Sequence, residues 1–113
     1  MTVEITSIVD AVGTDTGTNE VHLSIFDHLP WSTYHLRLLQ DKINAYLGYI
    51  ESGEIYASYP TARGRTLVID VFAKFRPSED ALVFFARAEA LAAEYGASLR
   101  YLHSGKGYAD DAA

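Results

Sequence analysis

The chain of 113 residues contains no cysteine. Disulfides, zinc–thiolate centres, iron–sulfur clusters and thiol nucleophiles are therefore excluded. Basic residues are scarce: 9 Lys and Arg stand against 15 Asp and Glu, a formal net charge of -6. A surface of that sign does not suit a nucleic-acid backbone or an anionic membrane. No apolar run approaches the ~20 residues of a membrane span. Met1-Thr2-Val3-Glu4 opens neither a basic nor an apolar leader. The expectation is a cytoplasmic protein with no nucleic acid and no membrane among its partners. Apolar side chains, in contrast, make up 49% of the chain and charged ones only 21%, which suits a folded core. One domain over 1–103 and a Gly- and Asp-containing tail over 104–113 is the expected organisation.

Residues 3–12 are β-branched and apolar, and 13–19 (GTDTGTN) carry turn chemistry. Residues 20–27 alternate, with Val21, Leu23 and Ile25 on one face and His22, Ser24 and Phe26 on the other. The two runs predict a β-hairpin. Leu29-Pro30 ends the strand, and 32–51 read as a helix capped by Ser32 or Thr33, with Leu36, Leu39, Ile43, Leu47 and Ile50 on its apolar stripe. Gly48 inside it predicts an early end or a close neighbour. Residues 54–59 (EIYASY) read as a short strand, Thr61–Gly64 as a turn and 65–75 as a long strand. Pro77-Ser78-Glu79-Asp80 is a helix start with two carboxylates in the first turn. Gly96 ends that helix, and 97–103 form the last strand.

The order β-β-α-β-β-α-β with two one-sided helices predicts an α+β two-layer sandwich: five strands in a mainly antiparallel sheet, both helices on one face. The last six elements have the order of a ferredoxin-like core.

The residue types suited to chemistry are few. Asp27, His28 and His35, with Trp31 beside them, bring a carboxylate, two imidazoles and an aromatic ring close in sequence. Such groups can bind a metal or run acid–base chemistry. The H-x6-H spacing matches no metal motif, however, and a structural histidine behind a strand end is the plainer reading. No catalytic set, metal site or cofactor site is assigned. Arg63-Gly64-Arg65 reads as a charged turn, and His22 and His103 as surface residues on strands. Gln40 and Asn44 form an i,i+4 pair. Gln40 falls near the centre of the apolar stripe, so it is expected to be buried and hydrogen-bonded to backbone, with ligand contact as the alternative. A buried amide without a partner costs about 1–3 kcal/mol.

The sheet face away from the helices is expected to carry Phe26, Tyr56, Val68, Phe72 and Leu102 among His22, Ser24, Asp70, Lys74 and Arg100. That is more aromatic surface than a solvated face needs. A homodimer held by this face follows, with Asp70 of one copy meeting Lys74 or Arg100 of the other.

The blocks Asp27-His28-Leu29-Pro30-Trp31, His35-Leu36 through Leu38-Leu39-Gln40-Asp41-Lys42-Ile43-Asn44, and Glu51-Ser52-Gly53-Glu54-Ile55 resemble a family of small, mostly bacterial proteins known as a domain of unknown function. The likeness runs from Val9-Asp10 to Leu99. It implies a standalone single-domain protein and supplies no activity, substrate or catalytic residue. Two functional expectations result. The first is a non-catalytic module that self-associates or binds protein. The second is a small-ligand or metal-dependent activity near Asp27, His28, Trp31 and His35.

Overall fold

The structure is a computed structural model and describes residues 10–103. Strand β1 (Ala11–Asp15) and strand β2 (Glu20–Asp27) form the expected antiparallel hairpin, with Ala11 opposite Ser24 and Asp15 opposite Glu20, although β1 extends through Gly13, Thr14 and Asp15 into the expected turn. The Asp15 carboxylate accepts from the amides of Gly17 and Thr18 and so shapes the turn. Helix α1 (Thr33–Glu51) follows, then a short helix α2 (Glu54–Ser58) and a 3-10 turn at Pro60–Ala62. Strand β3 (Thr66–Ala73), helix α3 (Glu79–Glu94) and strand β4 (Ala97–His103) complete the described chain.

The fold is α+β, but the described residues form four strands in the order β1-β2-β3-β4, and the sheet is mixed. β2, β3 and β4 are parallel to one another. Residues 3–9, where the first strand was expected to begin, lie outside the described residues, as does the tail 104–113. The decisive departure is at 54–59. Gly53 adopts a left-handed φ of 80°, the chain turns, and Glu54–Ser58 coil into α2 with only Ile55 fully buried. A run of five residues cannot show by periodicity whether it is helix or strand. Without a strand there, the expected hairpin of 54–59 with 65–75 is absent, and the chain returns from α1 to the end of the sheet where β2 began, so that β3 pairs directly and parallel with β2. Adjacent parallel strands with nothing inserted between them also exclude the split ferredoxin-like core.

The phases of the strands match the sequence pattern. Val21, Leu23 and Ile25 align with Leu67, Ile69 and Val71, and these with Ala97, Leu99 and Tyr101. α1 contributes Leu39, Ile43, Tyr46 and Leu47 to this same buried cluster, and α3 contributes Ala81, Phe85, Ala88 and Ala92. Both long helices thus cover one face. β3 is buried from Leu67 to Val71 on both sides, as expected for a central parallel strand. Ser32 caps α1 through the His35 amide and Ser78 caps α3 through the Ala81 amide. Among the described residues no helix is long and apolar enough to cross a membrane.

Gly48 neither ends α1 nor admits a close neighbour: the helix runs on to Glu51, and a Cβ at Gly48 would meet nothing within 4 Å. Gly48→Ala should therefore stabilise the fold by roughly 0.5–1 kcal/mol through reduced unfolded-state entropy. The urea midpoint checks this; a lowered midpoint would mean that the site is more crowded than it is drawn.

Candidate functional site

β2 ends at Asp27 and α1 begins at Thr33, with five residues between them, so the Pro30–Ser32 loop folds His35 back onto the strand end. His35 Nε2 lies 2.5 Å from Asp27 Oδ2, and its Nδ1–H donates to the Pro30 carbonyl at 3.0 Å. A carbonyl can only accept, so Nδ1 is the donor in that contact, while Nε2 faces the carboxylate. The Trp31 ring stacks on His35 with centroids 4.1 Å apart, and Trp31 Nε1–H donates to the Phe75 carbonyl. Phe85 meets Trp31 edge-on. The Asp27 and His35 side chains are 0% and 1% exposed. The structure thus brings Asp27, Trp31 and His35 together but seals Asp27 and His35 from water. Both ring nitrogens are engaged inside the protein, and among the described residues no three His, Cys, Asp or Glu side chains cluster as metal ligands. His28 is exposed, unlike this buried pair. The cluster ties the end of β2 to the start of α1 and, through Lys74 N–H donating to the Asp27 carbonyl, to the exit of β3.

A second buried polar group was not foreseen. Lys42 is 0% exposed and its Nζ lies 2.6 Å from Asp10 Oδ1. Asp10 Oδ2 accepts from the Phe26 amide, the Asp10 amide donates to the Tyr46 hydroxyl, and that hydroxyl donates to the Ser24 carbonyl at 2.6 Å. Burial pushes the Tyr46 phenol well above the ordinary tyrosine range; the hydrogen bond from the Asp10 backbone opposes this, and the Asp10 charge adds to it. A signal was present: His35, Leu39, Lys42 and Tyr46 stand at i, i+4, i+7 and i+11, one stripe of a helix. The expectation for Gln40 was one step out of phase. Gln40 and Asn44 are both exposed, and Lys42 takes the buried place.

The helix-free sheet face carries Phe26, Val68, Phe72 and Leu102, as the alternation predicted. Tyr56 is not among them, because it lies on α2 beneath Arg63. Phe26 stacks on Phe72 at 5.8 Å and remains 43% exposed. Val68 is buried, while Phe72 and Leu102 are half-buried. Asp70 sits in the middle of this face and is used within the chain: His22 Nδ1 lies 2.5 Å from one oxygen, and Arg100 Nε–H donates to the other at 2.9 Å. His22 also reaches Glu20, so it is a bridging residue rather than a bare surface imidazole. The His103 side chain lies outside the described residues.

Gln40 and Asn44 line a groove between α1 and α3. It encloses about 450 Å³, with Leu36 and Ile43 from α1 and Val83, Phe84 and Leu91 from α3 as apolar walls. Asp80 and Arg87 complete the rim. Among the described residues the side chains of Gln40, Asn44, Asp80 and Arg87 make no hydrogen bond or ion pair. Val83 is 53% exposed and Leu91 is also exposed. An apolar floor with unpaired polar groups at its edge is the usual form of a binding surface.

Two predictions concern the buried groups. Lys42→Met leaves the Asp10 carboxylate buried and should cost about 3–5 kcal/mol, whereas pairing it with Asp10→Asn should cost clearly less. Urea melts of the single and double variants check this. Because its folded-state pKa is raised, Tyr46 contributes stability that is complete below pH about 10 and is lost as pH rises further. An alkaline ultraviolet titration should show a late phenol phase that coincides with unfolding and is absent in Tyr46→Phe.

No curated protein and no solved structure matches the chain. Residues 1–105 match a family of unknown function, DUF6572, and the chain belongs to that family.

Proposed function

We propose that the chain is a non-catalytic, protein-binding module of the cytoplasm that self-associates as a homodimer through the groove between α1 and α3. It needs no metal or cofactor for this and takes no nucleic acid. The observation that carries the reading is the groove itself, a concave apolar strip between two helices with an unpaired polar rim. α3 shows why the strip exists. Its Ala81, Phe85, Ala88 and Ala92 already cover the sheet, yet Val83, Phe84 and Leu91 form a second apolar line beside them. A helix that serves only its own core needs one stripe. Catalysis near Asp27, His28, Trp31 and His35 is the weaker alternative, because Asp27 and His35 satisfy each other away from water.

A second reading places the homodimer on the sheet face, through Phe26, Val68, Phe72 and Leu102. The exposed Phe26–Phe72 stack favours it. The central Asp70 network weakens it, since Arg100 pairs within the chain rather than across a contact.

Light scattering at micromolar concentrations should give twice the chain mass. Val83→Asp should reduce it to one chain mass with an unchanged urea midpoint, and Phe26→Asp should leave the dimer intact. The opposite pattern would move the contact to the sheet face, and a monomeric wild type would refute self-association.

A further inference from the structure

We infer that the groove is filled by a second copy of this chain, with the two α3 helices antiparallel about a two-fold axis between Val83 and Phe84, so that Asp80 of each copy faces Arg87 of the other. The inference rests on the self-association proposed above and adds the partner surface and its register.

Asp80 and Arg87 are seven residues apart, two helical turns, and so share one line of α3 about 10 Å apart. Each is exposed, and neither side chain is engaged within the described chain. A C2 contact is isologous: what one helix presents, its mate must complement. With the axis midway between these two residues, the acidic group of each copy meets the basic group of the other, twice per dimer. Val83 and Phe84 then meet at the axis, where a contact is driest and burial counts most. Val83, at 53% exposure, is the most exposed of the large apolar side chains on α3.

The charges also reject the neighbouring arrangements. An axis through Arg87, one helical turn along, would set Arg87 against itself and Asp80 against Glu94, both like-charge. A parallel pairing in register would set Asp80 near Asp80 and Arg87 near Arg87. Rim charges of this kind select register and orientation more than they add affinity. On the α1 wall, the exposed amides of Gln40 and Asn44 carry no charge and accept either donors or acceptors from the incoming helix.

The arrangement makes a specific demand. A chain with Asp80→Arg presents two cations on this line, and a chain with Arg87→Asp presents two anions. Each variant alone should dimerise about tenfold or more weakly than wild type, because both cross-axis pairs become like-charge. An equimolar mixture of the two should form a heterodimer of near wild-type affinity, since both pairs are then opposite. The double variant Asp80→Arg/Arg87→Asp should likewise recover a homodimer. Both charged positions are exposed, and cooperative urea unfolding of each variant would establish that it folds.

Sedimentation velocity on wild type, each single variant, the mixture and the double variant reads all of this out. Weak singles with recovery in the mixture and the double variant support the inference. A wild-type dimer whose singles are unaffected, or whose mixture fails to recover, overturns this register while self-association stands. A wild type that stays monomeric overturns both.

Discussion

The chain crosses the sheet twice in the same direction, and most of the remaining architecture is a consequence of that. A parallel neighbour can be reached only by carrying the chain back to the start of the sheet, and the right-handed crossover puts each returning helix on the same side. β3 therefore lies between two parallel strands with α1 and α3 over one face, and its run from Leu67 to Val71 is buried throughout. The two helices cover adjacent crossovers and run side by side without closing against each other. The groove at Leu36, Ile43, Phe84 and Leu91 is what remains between them.

α1 is held at its place over the sheet by two buried polar links on one stripe. At its first turn, His35 is fixed to Asp27 at the end of β2; further along, Lys42 and Tyr46 reach Asp10 and the Ser24 carbonyl. Buried ion pairs return little net stability, because desolvation offsets most of the attraction. Their effect is positional: a slide of α1 along β2 by one turn would leave a carboxylate, an ammonium and an imidazole buried without partners. The helix is thus fixed in register, and with it the spacing of the groove wall that it forms.

Much of this was legible in the sequence, and the parts that were not share a physical cause. Alternation in Val21, Leu23 and Ile25 and in Leu67, Ile69 and Val71 identified the core face, because a half-buried strand records its orientation residue by residue. Ser32 and Ser78 marked helix starts through their capping chemistry. The segment after Gly53 was misread because Ile55 and Tyr56 suit a strand, while the turn imposed by a left-handed glycine is a backbone property that side-chain pattern does not carry. That single misreading added a fifth strand and a second hairpin, and so made a mixed sheet look mainly antiparallel. Lys42 was overlooked for a different reason. Its burial depends on Asp10, which is 32 residues away, and helical periodicity cannot show a partner that distant. Gln40 lies off the buried stripe: it is exposed with Asn44 on the groove rim, so its expected burial does not hold.

The distribution of charge bears on which surface can meet another copy. Two chains that each carry a formal -6 repel at long range, so a contact forms most easily where the local charge is balanced. The groove meets that condition. Asp80 is balanced by Arg87 on α3, and on the adjoining surface of α1 Asp41 is balanced by Arg37. The sheet face is balanced in another way: its central carboxylate, Asp70, is already neutralised by Arg100 and bonded to His22. Its charges are consumed within the chain, whereas Asp80 with Arg87 and Arg37 with Asp41 are opposite pairs left open beside the groove. A surface whose charges are complementary and unspent, above exposed valine and leucine, is the one on which approach, register and burial all favour the same contact.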